Sequence, residues 1–134
     1  MTKKLLYIHT ASVQPSISGG LNTTLLQVFS MCTAFVSAGY NVTLAMQKNE
    51  NFENNLEEFI NNSFQDGIAF DITTWNQKSK KLFLNKVLTM RSINQIVAQN
   101  KPDMIFTREP YILNALPKFN VPFIFESHNA RMHT

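Results

Sequence analysis

The chain has 134 residues, 44% of them hydrophobic and 16% charged, and a net charge of +3. This length suits one domain with its own core, and this composition excludes extensive disorder. No apolar run approaches the ~20 residues of a transmembrane helix, and no cleavage site follows the apolar run after Lys3 and Lys4. We therefore expect a cytoplasmic protein, and the single cysteine, Cys32, fits a reducing compartment.

The first part of the chain has the pattern of a strand, a helix and a second strand. Lys4 to His9 is a short apolar run without alternation, which is typical of a strand buried on both faces. After a glycine-containing loop, apolar residues at helical spacing follow from Asn22, and the pattern ends at Gly39. Residues 41–46 are the second predicted strand, so a right-handed crossover is expected.

The second part repeats this alternation. Residues 49–66 predict a short surface helix, and residues 67–72 predict a third strand. Helical spacing from Phe83 to Val97 predicts a long helix that ends near Pro102. Residues 103–107 and 121–125 are the fourth and fifth predicted strands, with a short helix over 110–116 between them. The expected fold is α/β, with a Rossmann-like doubly wound parallel sheet. Because no covering helix follows the fifth strand, we expect the chain to be part of a longer protein.

Gly19 and Gly20 lie just ahead of the first predicted helix. Glycine permits positive φ angles, and the free amides at a helix start attract phosphate. The pair matches neither the dinucleotide-binding fingerprint nor a P-loop, because Leu21-Asn22-Thr23 follows it. Taken alone, this loop is as consistent with a plain turn as with a phosphate contact.

Polar residues follow three of the predicted strands: His9, the pair Arg108-Glu109, and Glu126 with His128. The carboxyl ends of parallel strands meet at one edge of the sheet, where ligands bind. His128 could donate a hydrogen bond to a developing oxyanion or a sugar hydroxyl, with Glu126 as an orienting partner. For Arg108 and Glu109, a local ion pair or helix cap is slightly favoured over ligand contact.

The remaining titratable residues indicate no metal site, because none of their spacings suits zinc. Cys32 lies on a helical apolar stripe, which favours core packing over nucleophilic catalysis.

A basic segment comprises Lys78, Lys80, Lys81, Lys86 and Arg91. A solvated helix face is the favoured interpretation and a contact with anionic lipid the alternative. We expect no nucleic-acid partner, because no recognisable binding module is present.

The order of these parts, with residues 38–42, 101–108 and 123–128, resembles the amino-terminal domain of group 1 retaining glycosyltransferases of the GT-B fold. In that family two Rossmann-like domains face each other across a cleft. The resemblance implies that residues 1–134 form the acceptor-side domain and that a carboxyl-terminal donor-binding domain lies outside this chain. It also implies that Gly19 and Gly20 lie near the donor phosphates or sugar and that His128 is the catalytic histidine of the cleft.

The implied activity, familiar from polysaccharide biosynthesis, is transfer of a sugar from a nucleotide diphosphate sugar to a glycan or lipid-linked acceptor, with retained configuration. No permanently bound cofactor is implied, and these residues alone should be inactive. The basic segment would contact the membrane peripherally, where a lipid-linked acceptor resides. The long loop over 10–18 and the polar segment 48–66 depart from the family pattern and leave the acceptor open. The alternatives are a non-catalytic Rossmann-type domain that binds a nucleotide or phosphate ligand, and a structural interaction domain.

Overall fold

The computed structural model describes residues 2–9, 23–48, 52–64, 66–76, 82–108 and 121–126. In these ranges five parallel strands form one sheet in the order β3-β2-β1-β4-β5. The strands are β1 (Lys4–His9), β2 (Asn41–Lys48), β3 (Asp71–Asn76), β4 (Met104–Thr107) and β5 (Phe123–Phe125). The helices are α1 (Thr23–Ser37), α2 (Phe52–Ser63) and α3 (Leu82–Asn100). The predicted α/β fold with a doubly wound, Rossmann-like parallel sheet is confirmed.

The central strand β1 is buried on both faces of the sheet. Leu5 and Tyr7 pack into a core with α1 and α2, whereas Leu6 and Ile8 pack into a second core with α3. This division follows from the strand geometry, in which successive side chains point to opposite faces. The unbroken apolar run that predicted β1 therefore reflects helices on both faces.

Phe29 of α1 is the centre of the first core. Its ring is fully buried and lies 5.0 Å from that of Phe59, 5.6 Å from that of Phe64 and 5.1 Å from that of Phe70, measured between centroids. These contacts join α1 to α2 and to the turn before β3. Cys32, one helical turn further on, is also buried, and burial raises the pKa of its thiol to about 12. The thiol is thus protonated and packs in the core.

The third strand begins later than the sequence predicts, so the predicted range 67–72 is wrong. Gly67 has a φ of +84° and donates a backbone hydrogen bond to Phe64 at 2.8 Å, which makes a turn. Phe70 then turns into the first core and is 6% exposed. The strand starts at Asp71, which pairs with Thr43. This strand lies at the edge of the sheet and has mostly polar, partly exposed residues. A search for apolar runs therefore does not detect it.

Several predicted features lie outside the described residues: the short helix over 110–116, Lys78, Lys80, Lys81, Gly19, Gly20, Glu109 and His128. Arg91 of the basic segment lies exposed on α3. None of the helices in the described ranges is long and apolar enough to cross a bilayer.

Candidate functional site

The sheet reverses its strand order between β1 and β4. From β1 the order proceeds to β2 and β3 on one side and to β4 and β5 on the other. In open parallel sheets, ligands bind in the crevice at the carboxyl ends of the strands at such a reversal. His9 ends β1 and Arg108 follows β4, so both predicted residues lie at this crevice.

Three predicted site residues lie in one row across β1, β4 and β5. Ile8 pairs with Thr107, and Thr107 pairs with Phe125. The next residues along these strands are His9, Arg108 and Glu126, and the backbone N–H of Glu126 donates to Thr107 at 3.1 Å. Residues in one row of a parallel sheet point to the same face, here the face covered by α1. With Gln27 of α1 they form what we call the strand-end cluster: His9, Gln27, Arg108 and Glu126.

Arg108 is the centre of the strand-end cluster. Its Nη2 lies 2.9 Å from Oε1 of Glu126, and its Nη1 donates to Oε1 of Gln27 at 3.5 Å. The Arg108 side chain is 12% exposed, against 42% for that of Glu126. The Nε of Arg108 is buried and has no hydrogen-bond partner in the described part of the chain. The Glu126 carboxylate therefore compensates the positive charge of Arg108, and this ion pair connects the end of β4 to the end of β5.

His9 is buried beside this pair and is 6% exposed. Burial, and to a lesser extent the positive charge of Arg108, lower the pKa of His9 from 6.5 to about 4. The imidazole is consequently neutral at pH 7, with one ring nitrogen that donates a hydrogen bond and one that accepts. Across the described ranges, no hydrogen bond joins this ring to another side chain of the strand-end cluster.

The shifted pKa of His9 predicts a loss of stability in acid. Between pH 6.5 and 4 the unfolded chain binds a proton at His9 that the folded chain does not, so stability falls as the pH falls. The expected loss is about 3 kcal/mol across this window. Denaturant unfolding of wild type and His9→Gln at pH 7 and pH 4.5 measures it. The other two histidines are present in both proteins, so an equal acid loss in the variant would contradict the prediction.

A second buried polar contact lies on the opposite face of the sheet. Thr89 of α3 donates its hydroxyl to Oε1 of Gln47, near the end of β2, at 3.4 Å. Both residues are buried. This contact carries no sequence signal, because a glutamine after an apolar strand and a threonine in a helix are each ordinary.

Comparison with known proteins places the fold but not the family. No protein-family model matches the chain, and no curated protein matches it. The C-terminal domain of a hydrogenase from Pyrococcus furiosus is 12% identical with a TM-score of 0.57, over 92% of this chain and 90% of that domain. A chain of the Pnkp1/Rnl/Hen1 complex is 16% identical with a TM-score of 0.50, over 96% of this chain and 47% of that chain.

These two structures share the fold of this chain and, at such identities, establish nothing beyond it. The chain spans about half the length of the second one. Neither description names a glycosyltransferase, so the resemblance that the sequence motifs carry stays a prediction.

The structure brings together His9, Arg108 and Glu126 among the predicted site residues. Arg108 pairs with Glu126, 18 residues away, whereas Glu109, named with Arg108 for a local ion pair or helix cap, lies outside the described residues. Gln27 was not predicted, since a glutamine on a helix carries no signal of its own. Among the described residues, no group of three or more histidine, cysteine, aspartate or glutamate side chains is placed to hold a metal ion.

Removing the charge of Glu126 should destabilise the fold modestly. Glu126→Gln keeps the shape of the side chain but leaves the largely buried Arg108 without its counter-charge. Because the carboxylate is partly exposed and screened by solvent, the expected loss in the free energy of unfolding is on the order of 1 kcal/mol. Denaturant unfolding at low salt measures it, with Glu57→Gln on the exposed face of α2 as the control. Equal stabilities of the two variants would contradict a stabilising pair.

Proposed function

We propose that this chain is the acceptor-side domain of a retaining glycosyltransferase, acting on a nucleotide diphosphate sugar and a glycan or lipid-linked acceptor. The observation that supports it most is the reversal of strand order between β1 and β4. His9 and Glu126 end described ranges at the same edge of the sheet. The sequence after His9 leads to Gly19 and Gly20, and the sequence after Glu126 leads to His128. In the sequence, both motifs of the resemblance thus follow strands that end at one edge of the sheet.

The proposed reaction breaks the bond between the sugar C1 and the diphosphate oxygen. A new bond forms between C1 and an acceptor hydroxyl on the same face of the sugar, and the hydroxyl proton passes to the departing diphosphate. Backbone amides at Gly19 and Gly20 suit the departing diphosphate, and an imidazole at His128 suits a developing oxyanion or a sugar hydroxyl. The reaction also needs groups held on a facing domain, so residues 1–134 alone would lack the required positioning.

The proposal includes a cytoplasmic location with peripheral membrane contact through the basic segment. The exposed position of Arg91 on α3 is compatible with such a contact. Anionic lipid attracts basic side chains by about 1 kcal/mol each near the surface. Co-sedimentation with anionic vesicles that is unchanged after neutralising Lys78, Lys80 and Lys81 would remove this part of the proposal and leave the activity untouched.

The second candidate is a non-catalytic Rossmann-type domain that binds a nucleotide or phosphate ligand. Binding at a strand reversal requires no catalytic group, and the described part of the edge offers a neutral imidazole and a compensated ion pair. This candidate gives no role to His128.

Nucleotide release by the full-length protein that contains this chain separates the two candidates. The donors are UDP-glucose, UDP-N-acetylglucosamine and GDP-mannose, each assayed for turnover and for a shift in melting temperature. Release of nucleotide from one donor supports the transferase. A raised melting temperature without any release supports the binding domain, since a ligand that binds only the folded state stabilises it. A folded protein that shows neither response rejects both.

A further inference from the structure

The strand-end cluster carries opposite charges that cancel. Arg108 and Glu126 form an ion pair at 2.9 Å, and His9 beside them is neutral at pH 7. Gln27, which reaches the cluster from α1, is uncharged. The described part of the crevice between β1 and β4 is therefore polar without net charge.

Two of the three guanidinium nitrogens of Arg108 already face partners within the protein. Nη2 faces Glu126 and Nη1 faces Gln27, and Nε is buried. A phosphate group that contacted Nη2 would compete with the Glu126 carboxylate for this nitrogen. It would also meet that carboxylate as a like charge. The geometry thus disfavours an anionic ligand at this point of the edge.

A neutral imidazole instead complements a hydroxyl group. One ring nitrogen of His9 donates and the other accepts, and a hydroxyl can do both. A phosphate at neutral pH offers mainly acceptors and would leave the accepting nitrogen of the ring unmatched. His9 is 6% exposed and ends β1, the strand beside the reversal of strand order.

We propose that His9 binds an uncharged hydroxyl group of the ligand. The proposal rests on the proposed function, in which both substrates carry sugar hydroxyls. It assigns to this point of the edge a sugar hydroxyl and not a phosphate. The hydroxyl belongs either to the donor sugar or to the acceptor, and the experiment distinguishes these sources.

The direct test follows the ring resonances of His9 by NMR in the labelled full-length protein, assigned by comparison with His9→Gln. Inorganic phosphate, the nucleotide sugar that is turned over and the acceptor sugar are titrated separately. We expect a shift of the His9 resonances with one of the two sugar compounds and none with phosphate. The compound that causes the shift identifies the source of the hydroxyl. A shift with phosphate, or none with either sugar compound, would overturn the proposal.

Kinetics give an independent measure. Loss of one hydrogen bond between uncharged groups in His9→Leu should raise the KM for one substrate roughly three- to tenfold. His9→Gln, which keeps an uncharged donor and acceptor, should recover part of this loss, whereas a purely structural role would give no such recovery. An unchanged KM in His9→Leu with an active wild type would overturn this inference alone. An inactive wild type would overturn the proposed function, and NMR titration with the three nucleotide sugars would still decide the role of His9.

Discussion

Replacing Phe29 by alanine should lower the free energy of unfolding by about 3 to 5 kcal/mol. The side chain is fully buried and its ring touches those of Phe59, Phe64 and Phe70. The substitution removes a large apolar surface from the core and opens a cavity where α1, α2 and the turn before β3 meet. The rings of Phe59 and Phe70 also lose their edge-to-face contacts with Phe29.

Chemical denaturation with the slope held common to wild type and variant measures the effect of Phe29→Ala. Ser30→Ala is the matched control, because Ser30 is the next residue of the same helix and is exposed. A surface substitution of this kind changes stability by about 0.5 kcal/mol or less. A loss below about 1 kcal/mol in Phe29→Ala would contradict the central place of this ring in the first core.

Replacing His128 by alanine should lower the turnover of the full-length enzyme by roughly a hundred- to ten-thousandfold. The expectation follows from the proposed role, in which the imidazole donates a hydrogen bond to a developing oxyanion or a sugar hydroxyl. Loss of one such donor, or of a positioned acid or base, has effects of this size. The loss should fall on kcat more than on KM, since the interaction forms fully only in the transition state.

His133→Ala is the control for this experiment, because it removes an imidazole five residues further along the chain. Denaturant unfolding of both variants separates a loss of turnover from a loss of folded protein. If the turnover of His128→Ala stays within threefold of the wild-type value, the proposed catalytic role of His128 is contradicted.

The sequence predicts those elements of the fold that depend on interactions between residues close together in the chain. β1 is buried on both faces and so appears as an unbroken apolar run, and Gly39, with a φ of +102°, ends the α1 pattern as predicted. The start of β3 depends instead on pairing with β2 and on the turn at Gly67, which periodicity does not report. Edge strands with polar residues lose the apolar signal that makes central strands recognisable.

The site was predictable only in part. Parallel topology places all strand ends at one edge, so His9, Arg108 and Glu126 were expected to gather there. Which residue pairs with Arg108 depends on the registers of two strand pairs at once. Its partner Glu126 is 18 residues away in sequence, so no local pattern predicts the pair. The neutral state of His9 likewise depends on its burial and on the charge of Arg108, which no motif encodes.

The most direct test of the proposed function is NMR of the product that the full-length protein forms from UDP-glucose, UDP-N-acetylglucosamine or GDP-mannose, each α-linked, and a glycan or lipid-linked acceptor. We expect transfer of the sugar to an acceptor hydroxyl, with the α configuration kept at C1. A product with the inverted configuration, or no transfer by a folded protein from any of these donors, would contradict it.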